Sequence, residues 1–314
     1  MTAKVTSTIQ LGEPVVHRGI VVAPLFPRRQ PRAEYITLEE AIPLGLRVTE
    51  VDAAGSVPEL LAKNPLDSNV LLYDGEELVG AKQNRILDIS VLLPGVSETR
   101  IPVSCVEEGR WSARSSAFMP ARHTAYPALR RRKAELLSTD PLAHGDAQRA
   151  VWNDVSAKAE RLQAHAPTRA QTDIFVSRDD DLQALRRAFP LVPGQSGAIF
   201  ALGPNALTLD FVSQPRAFES LYPKLLDGYL LDALERLDRK PADAQTLASF
   251  VERIEAASRS RRRSIGLGAD VRLRAKHVVG AALELDDELV QLSAFSSAES
   301  RPTTRVARPS RRAP

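Results

Sequence analysis

The chain has 314 residues, with 42 Lys plus Arg against 39 Asp plus Glu and a formal net charge of +3. At 43% hydrophobic and 26% charged residues it has the composition of an ordinary globular protein, long enough to bury a substantial core. No apolar run approaches the ~20 residues of a membrane span, the N-terminus lacks a secretory-signal pattern, and a single cysteine, Cys105, excludes an internal disulfide framework, so a cytoplasmic protein with no membrane partner is expected.

The first third is β-rich. Gly19–Phe26 is a strand candidate ended by Pro27, and Thr37 with Glu40 three residues later is a capping box for a short helix. Leu46–Val51 alternates apolar and polar residues loosely, as a strand would. Val57–Lys63 predicts a short helix stopped by Asn64-Pro65. Asn69–Tyr73, then Asp74-Gly75, then the chain from Glu77 predict a β-hairpin, since tight turns favour Asp-Gly. Ile86–Leu93 and Ile101–Val106 read as strands, with Pro94-Gly95 marking the turn between them.

The middle turns helical. Gly145–Gln163 carries Ala147, Val151, Val155, Ala159 and Leu162 at helical spacing, and Asp179–Ala188 predicts a second helix with Ser177 as a cap. Gly197–Val212 reads as strand, a Gly203-Pro204-Asn205 turn, and strand. Phe218, Leu221, Tyr222, Leu225, Tyr229 and their neighbours to Leu237 place one apolar face on the clearest helix of the chain, and Ala244–Ala257 predicts another. Val271, Leu273, Ala275, His277 and Val279 alternate with Arg272, Arg274 and Lys276, as in a strand. Asp286-Asp287 marks a turn, and Leu289–Phe295 completes a hairpin. Three strand-turn-strand units, each near a Gly-Ala pair, resemble a degenerate repeat. Runs of strands interrupted by runs of helices give an α+β class: a β-rich N-terminal third, helices in the middle and a closing β-hairpin. Residues 1–298 are expected to form one domain.

Charge is unevenly placed. Residues 301–314, RPTTRVARPSRRAP, hold five arginines and no acid, so the remaining body has 37 basic against 39 acidic residues, net −2. Residues 299–314 therefore read as a disordered Arg/Pro-rich tail, able to make weak nucleic-acid contacts but lacking an aromatic residue to stack on a base. The inner runs Arg130–Lys133 and Arg259 with Arg261–Arg263 read as solvated surface.

Polar residues cluster between Asp74 and Trp111. In Lys82-Gln83-Asn84-Arg85, expected on a strand, Gln83 and Arg85 would share one face and Lys82 and Asn84 the other. Amides read hydrogen-bonding edges of bases or sugars, and Lys and Arg hold phosphate or carboxylate. A second block adds Ser104, Cys105, Glu107, Arg110 and Trp111, whose indole can stack on an adenine-like ring. Together with Glu77 these groups suit an anionic, nucleotide-like ligand. The competing explanation is a buried polar network that fixes strand pairing, with Glu and Arg paired and Trp111 in the core. A cysteine-phosphatase loop is excluded: four residues separate Cys105 from Arg110, one too few, and Glu107 and Glu108 would repel phosphate. A lone cysteine on a strand is more often a small buried apolar residue than a nucleophile. The five histidines show no metal-ligand spacing, and the sequence offers no dinucleotide or P-loop fingerprint, so neither a metal nor a cofactor is expected.

The stretches Asp74–Arg85 (DGEELVGAKQNR) and Ile101–Trp111 (IPVSCVEEGRW) resemble the signature blocks of a bacterial family, the ADP-ribosylglycohydrolase-and-Rhodanese-Phosphatase-superfamily-associated protein family. The resemblance extends from about Gly19 to Phe295 and leaves out the tail. It implies no established activity, but it points towards ADP-ribose or NAD-derived metabolites. On that expectation Lys82, Arg85 and Arg110 contact phosphate, Gln83 and Asn84 hydrogen-bond ribose or base, and Trp111 stacks or walls the pocket. Glu77 and Ser104 complete the ligand-binding set. Glu107 is the candidate general base if chemistry occurs, with Cys105 the second catalytic candidate. A non-enzymatic interaction module, whose polar motifs are structural, and nucleic-acid binding through the tail are the alternatives.

Overall fold

The computed structural model describes residues 4–52, 58–112, 114–139 and 144–297; the tail at 299–314 lies outside the described residues. The chain begins with α1 (Val5–Thr8), β1 (Ile9–Leu11), β2 (Val15–His17) and β3 (Ile20–Pro27). Next, β4 (Ile36–Thr37) runs straight into α2 (Leu38–Leu44). The Thr37 hydroxyl accepts the Glu40 amide while the Glu40 carboxylate accepts that of Thr37, the reciprocal cap expected from the sequence. Eight strands follow: β5 (Arg47–Glu50), β6 (Glu59–Asn64), β7 (Val70–Leu72), β8 (Glu76–Gly80), β9 (Arg85–Leu87), β10 (Val91–Leu93), β11 (Ser97–Cys105) and β12 (Phe118–Thr124). The helical middle comprises α3 (Pro127–Thr139), α4 (His144–Arg161), α5 (Gln171–Ser177) and α6 (Asp179–Arg186). The hairpin of β13 (Gly197–Leu202) and β14 (Leu207–Val212) leads to α7 (Pro215–Ala233) and α8 (Ala244–Glu255). Last come β15 (Ser258–Arg263), β16 (Ala269–Ala275), β17 (Val278–Leu285) and β18 (Glu288–Ser296).

This is the α+β arrangement expected, and three sheets carry it. A nine-stranded antiparallel sheet runs β1-β3-β13-β14-β18-β17-β16-β15, with β2 also paired to β3; a six-stranded sheet runs β12-β8-β9-β11-β6-β5; a small sheet runs β10-β7-β4. The main core lies where α7 is sandwiched between the large sheet and β12. From Ala217 to Ala233 only Glu219, Ser220 and Pro223 escape burial, so α7 is enclosed on nearly all sides and not along one face alone. A second core fills the other face of the large sheet under α8, and a third lies between the two smaller sheets. Among the described residues no helix is long and apolar enough to cross a membrane.

Several expectations need correction. The helix expected at Val57–Lys63 is β6 over its described part: Leu60 and Ala62 are buried, Lys63 is exposed, and ladders to β5 and β11 hold it. The helix-forming Leu, Ala and Lys yield there to tertiary pairing. β7 and β8 follow one another through Asp74-Gly75 without pairing, so the expected hairpin is absent and the three-unit repeat fails at its first member. That turn is shaped by a side chain. Gly75 has φ +81, and a Cβ on it would lie 2.6 Å from Arg130 Cδ. Ser177 does not cap α6; Arg178 holds the cap position, and the Ser177 hydroxyl accepts the His165 amide. Arg259 and Arg261–Arg263, read as solvated surface without an element, belong to the edge strand β15, where all but Arg259 are exposed.

The run Arg130–Lys133 is the largest departure. Arg131 and Arg132 are partly exposed, but Arg130 and Lys133 are 1% and 4% exposed. Arg130 forks onto both oxygens of buried Asp210, at 2.8 Å each, and reaches Asp74. The hydroxyls of Tyr73, Tyr229 and Ser293 complete the Asp210 shell. Burial alone would raise the Asp210 pKa; the Arg130 charge and these hydrogen bonds outweigh it and hold the carboxyl below its ordinary value. Lys133 meets Asp88 at 2.5 Å and the Leu87 carbonyl at 3.1 Å. Asp210, the main partner, stands 80 residues further along the chain.

Candidate functional site

The two polar blocks meet where β8, β9 and the end of β11 lie side by side. Arg85 opens β9 opposite Leu78 of β8 and Cys105 of β11. Residues 82–84 were expected on a strand; they form a tight loop instead. The chain leaves β8 through Gly80 at φ +133 and Ala81 at φ +39, and a Cβ on Gly80 would come within 2.6 Å of Ser115 Oγ. The loop sorts its side chains into two groups with different chemistry.

The first group is a closed network. Glu107 and Arg110 form a two-pronged pair, Nε to Oε1 at 2.9 Å and Nη2 to Oε2 at 2.6 Å. Arg110 also donates to the carbonyls of Gly80, Ala81 and Ser112 and to Asn84 Oδ1. The Asn84 backbone N–H donates to Glu107 at 3.0 Å. Burial pushes the Glu107 carboxyl up, but the Arg110 and Asn84 hydrogen bonds and the Arg110 charge hold it below its ordinary value. An ionised carboxylate with both oxygens occupied is a clamp and has little room to take a proton from a substrate. Glu77 is enclosed in the same way. Its Oε1 accepts Thr172 at 2.6 Å and Asn84 at 3.2 Å, and its Oε2 meets Gln171 at 2.5 Å and His123 at 2.9 Å. The His123 ring stacks on Phe175 at 3.7 Å.

The second group is open. Arg85 is wholly buried, yet only Nη1 has a partner, Gln83 Oε1 at 3.0 Å; Nε and Nη2 have none among the described residues. Buried donors without acceptors are costly and uncommon. No carboxylate pairs with this guanidinium among the described residues. It lies 5.7 Å from the ring centre of Trp111, and Lys82 Nζ lies 5.5 Å from the same ring. Trp111 is 51% exposed, so about half of the residue is open to solvent while both cations lie over its ring. Nearby, Glu50 of β5 accepts the Lys82 amide through Oε1 at 3.5 Å, while its buried Oε2 has no hydrogen-bond partner among the described residues. Unmatched donors and an unmatched acceptor thus occur in one neighbourhood.

Cys105 is buried and paired through its backbone with the Gln148 side chain, at 2.8 Å in each direction. Burial pushes its thiol up to about 11, with Arg85 opposing and Glu50, Asp88 and Glu107 adding to the rise, so at neutral pH it is a protonated thiol. Ser104 turns away to donate to Asp88 at 2.8 Å, joining the Lys133 pair. Among the described residues no group of three or more His, Cys, Asp or Glu is placed to hold a metal ion.

Sequence reasoning thus placed Gln83, Asn84, Arg85, Glu107, Arg110 and Trp111 together, and the fold does bring them together. It missed Glu50, His123, Gln148, Gln171 and Thr172. None of these carries a local signal; topology recruits them from four elements, β5, β12, α4 and, for both Gln171 and Thr172, α5. The pattern of one protein family, the ARG and Rhodanese-Phosphatase-superfamily-associated Protein domain, matches residues 8–295. No curated protein and no solved structure gives a significant match.

Proposed function

The chain belongs to the ARG and Rhodanese-Phosphatase-superfamily-associated Protein family, and from that premise we propose that it binds an anionic, nucleotide-like ligand of the ADP-ribose or NAD-derived class beside Arg85 and Trp111. One observation carries this reading: a buried guanidinium with two unpaired nitrogens under a half-exposed indole. A phosphate or diphosphate oxygen is the acceptor that an arginine fork suits best. Lys82 would add a second positive charge, Gln83 would keep the Arg85 fork in plane, and Trp111 would stack on the base. Asn84, Glu107 and Arg110 would act behind this face by fixing the loop, a positioning role. The test is calorimetry with ADP-ribose, its phosphorylated forms and NAD on the wild type and Arg85→Ala. Binding by the wild type with loss in Arg85→Ala supports the proposal; the absence of any binding heat in the wild type removes it.

A second reading, a non-enzymatic module whose polar motifs are structural, draws on the closed shells of Glu77 and Glu107. It accounts for those residues but leaves the unpaired nitrogens of Arg85 unexplained. Large stability losses in Gln83→Ala and Glu107→Ala, with no ligand effect on either melt, would favour it.

A further inference from the structure

A second cationic groove shares no lining residue with the site beside Arg85. At one end of the large sheet a groove of about 660 Å³ opens between the β13–β14 turn, the start of α3, the end of α7 and the last residues of β18. Three arginines from three elements line it: Arg131 of α3, Arg236 just beyond α7, and Arg253 of α8. Among the described residues Arg236 and Arg253 have no ion-pair partner, and Arg131 has only a long one. Arg131 Nε is buried and has no hydrogen-bond partner among the described residues, its nearest carboxylate being Glu135 at 4.0 Å. The Arg253 Nε donates to the Ser249 carbonyl, not to an acid. The lining holds one acid, Asp232, and it is spoken for: it accepts Lys158 at 2.6 Å and the Ala128 amide at 2.9 Å. The groove therefore presents guanidinium groups without a competing free carboxylate, inside a body whose sequence outside the tail is net negative.

We infer that this groove binds phosphoryl groups, in the form of a diphosphate or of successive phosphates along a strand. Three forked donors approaching from different elements match a ligand with several charged oxygens better than a single carboxylate. Tyr229, Phe200 and Phe295 contribute to the walls but are 1–2% exposed, so recognition falls on the charges and not on base stacking.

The test uses the full chain and two probes, inorganic pyrophosphate and a ten-residue oligothymidylate, titrated at low and physiological salt. The double variant Arg236→Ala/Arg253→Ala changes partly or fully exposed side chains and should fold normally, which its melting curve verifies. All arms use an Arg85→Met background, which removes the other proposed phosphate site, and there pyrophosphate affinity should fall at least tenfold when the double variant is added. A parallel loss for the oligonucleotide would identify a strand backbone as the source of the phosphates; no oligonucleotide binding would identify a free diphosphate. No pyrophosphate binding by the Arg85→Met protein, or equal affinity with and without Arg236→Ala/Arg253→Ala on that background, would overturn the inference.

Discussion

Replacing Arg85 by Met should leave the ligand-free protein as stable as the wild type or more so, whereas replacing Arg110 by Met should destabilise it strongly. Both arginines are buried, at 0% and 6% exposure, and they differ in what surrounds the guanidinium. In Arg85, two buried nitrogens lack acceptors among the described residues, each at a cost of about 1–3 kcal/mol. Against this stand one charged hydrogen bond to Gln83, about 1.5–3 kcal/mol, and a cation–π contact with Trp111, about 0.5–1 kcal/mol. At the midpoints of these ranges Arg85→Met comes out about 1 kcal/mol stabilising, the extremes being about 2 kcal/mol destabilising and about 4 kcal/mol stabilising. Removing Arg110 strands the Glu107 carboxylate in the interior and frees three carbonyls, which costs about 3–5 kcal/mol. At roughly 2–4 °C per kcal/mol for domains somewhat smaller than this one, the two variants should melt several degrees apart, on opposite sides of the wild type or with Arg85→Met level with it. Thermal melts without ligand read this directly. If Arg85→Met falls as far as Arg110→Met, the guanidinium has partners in solution, and it is not a vacancy for a ligand anion.

Other outcomes follow from the same reasoning. Cys105 should resist alkylation in the folded protein at neutral pH; its thiol ionises near 9.0 when unfolded but only at about 11 when folded. Its contribution is thus intact below pH 9 and lost as pH rises through 11, about 2–3 kcal/mol in all, so Cys105→Ala should flatten the alkaline fall of stability across that window. Asp210 runs the other way. Its folded pKa is depressed, so its stabilisation is present above the ordinary carboxylate range and disappears as pH falls through the folded value. Asp210→Asn should lower stability at neutral pH by about 3–5 kcal/mol, since it leaves Arg130 buried beside a neutral amide, and chemical denaturation at pH 7 measures it. Gly75→Ala places a Cβ against Arg130 at φ +81 and should cost about 1–3 kcal/mol, visible as a reduced denaturation midpoint.

What could be read in the sequence depended on the range of the forces involved. The Thr37–Glu40 cap and the periodic stripe of α7 are settled by neighbours a few residues away, and both stand where the sequence put them. So does the β13–β14 hairpin, closed by its own turn. β6 does not: its residues favour a helix locally, and only ladders to β5 and β11 make it a strand. Arg130 looked like solvated surface because the acid that neutralises it lies 80 residues further on. At the candidate site, residue types drew attention to the right stretch, but they could not separate the clamp from the opening. Arg85 and Arg110 are equivalent in sequence; their different roles come from Glu107, which pairs with one and leaves the other without a carboxylate. Glu50, His123 and Gln171 were invisible for the same reason as Asp210. Each is an unremarkable polar residue until the fold delivers it to the blocks.

The most direct measurement uses the tryptophans. The chain has two, Trp111 and Trp152, so Trp152→Phe leaves the indole beside Arg85 as the sole reporter. ADP-ribose titrated into that protein should produce a saturable change in Trp111 emission, and the change should vanish when Arg85→Met is added on the same background. Emission that stays flat in the first protein, or changes equally in both, would contradict the assignment of Arg85 and Trp111 to a nucleotide-binding site.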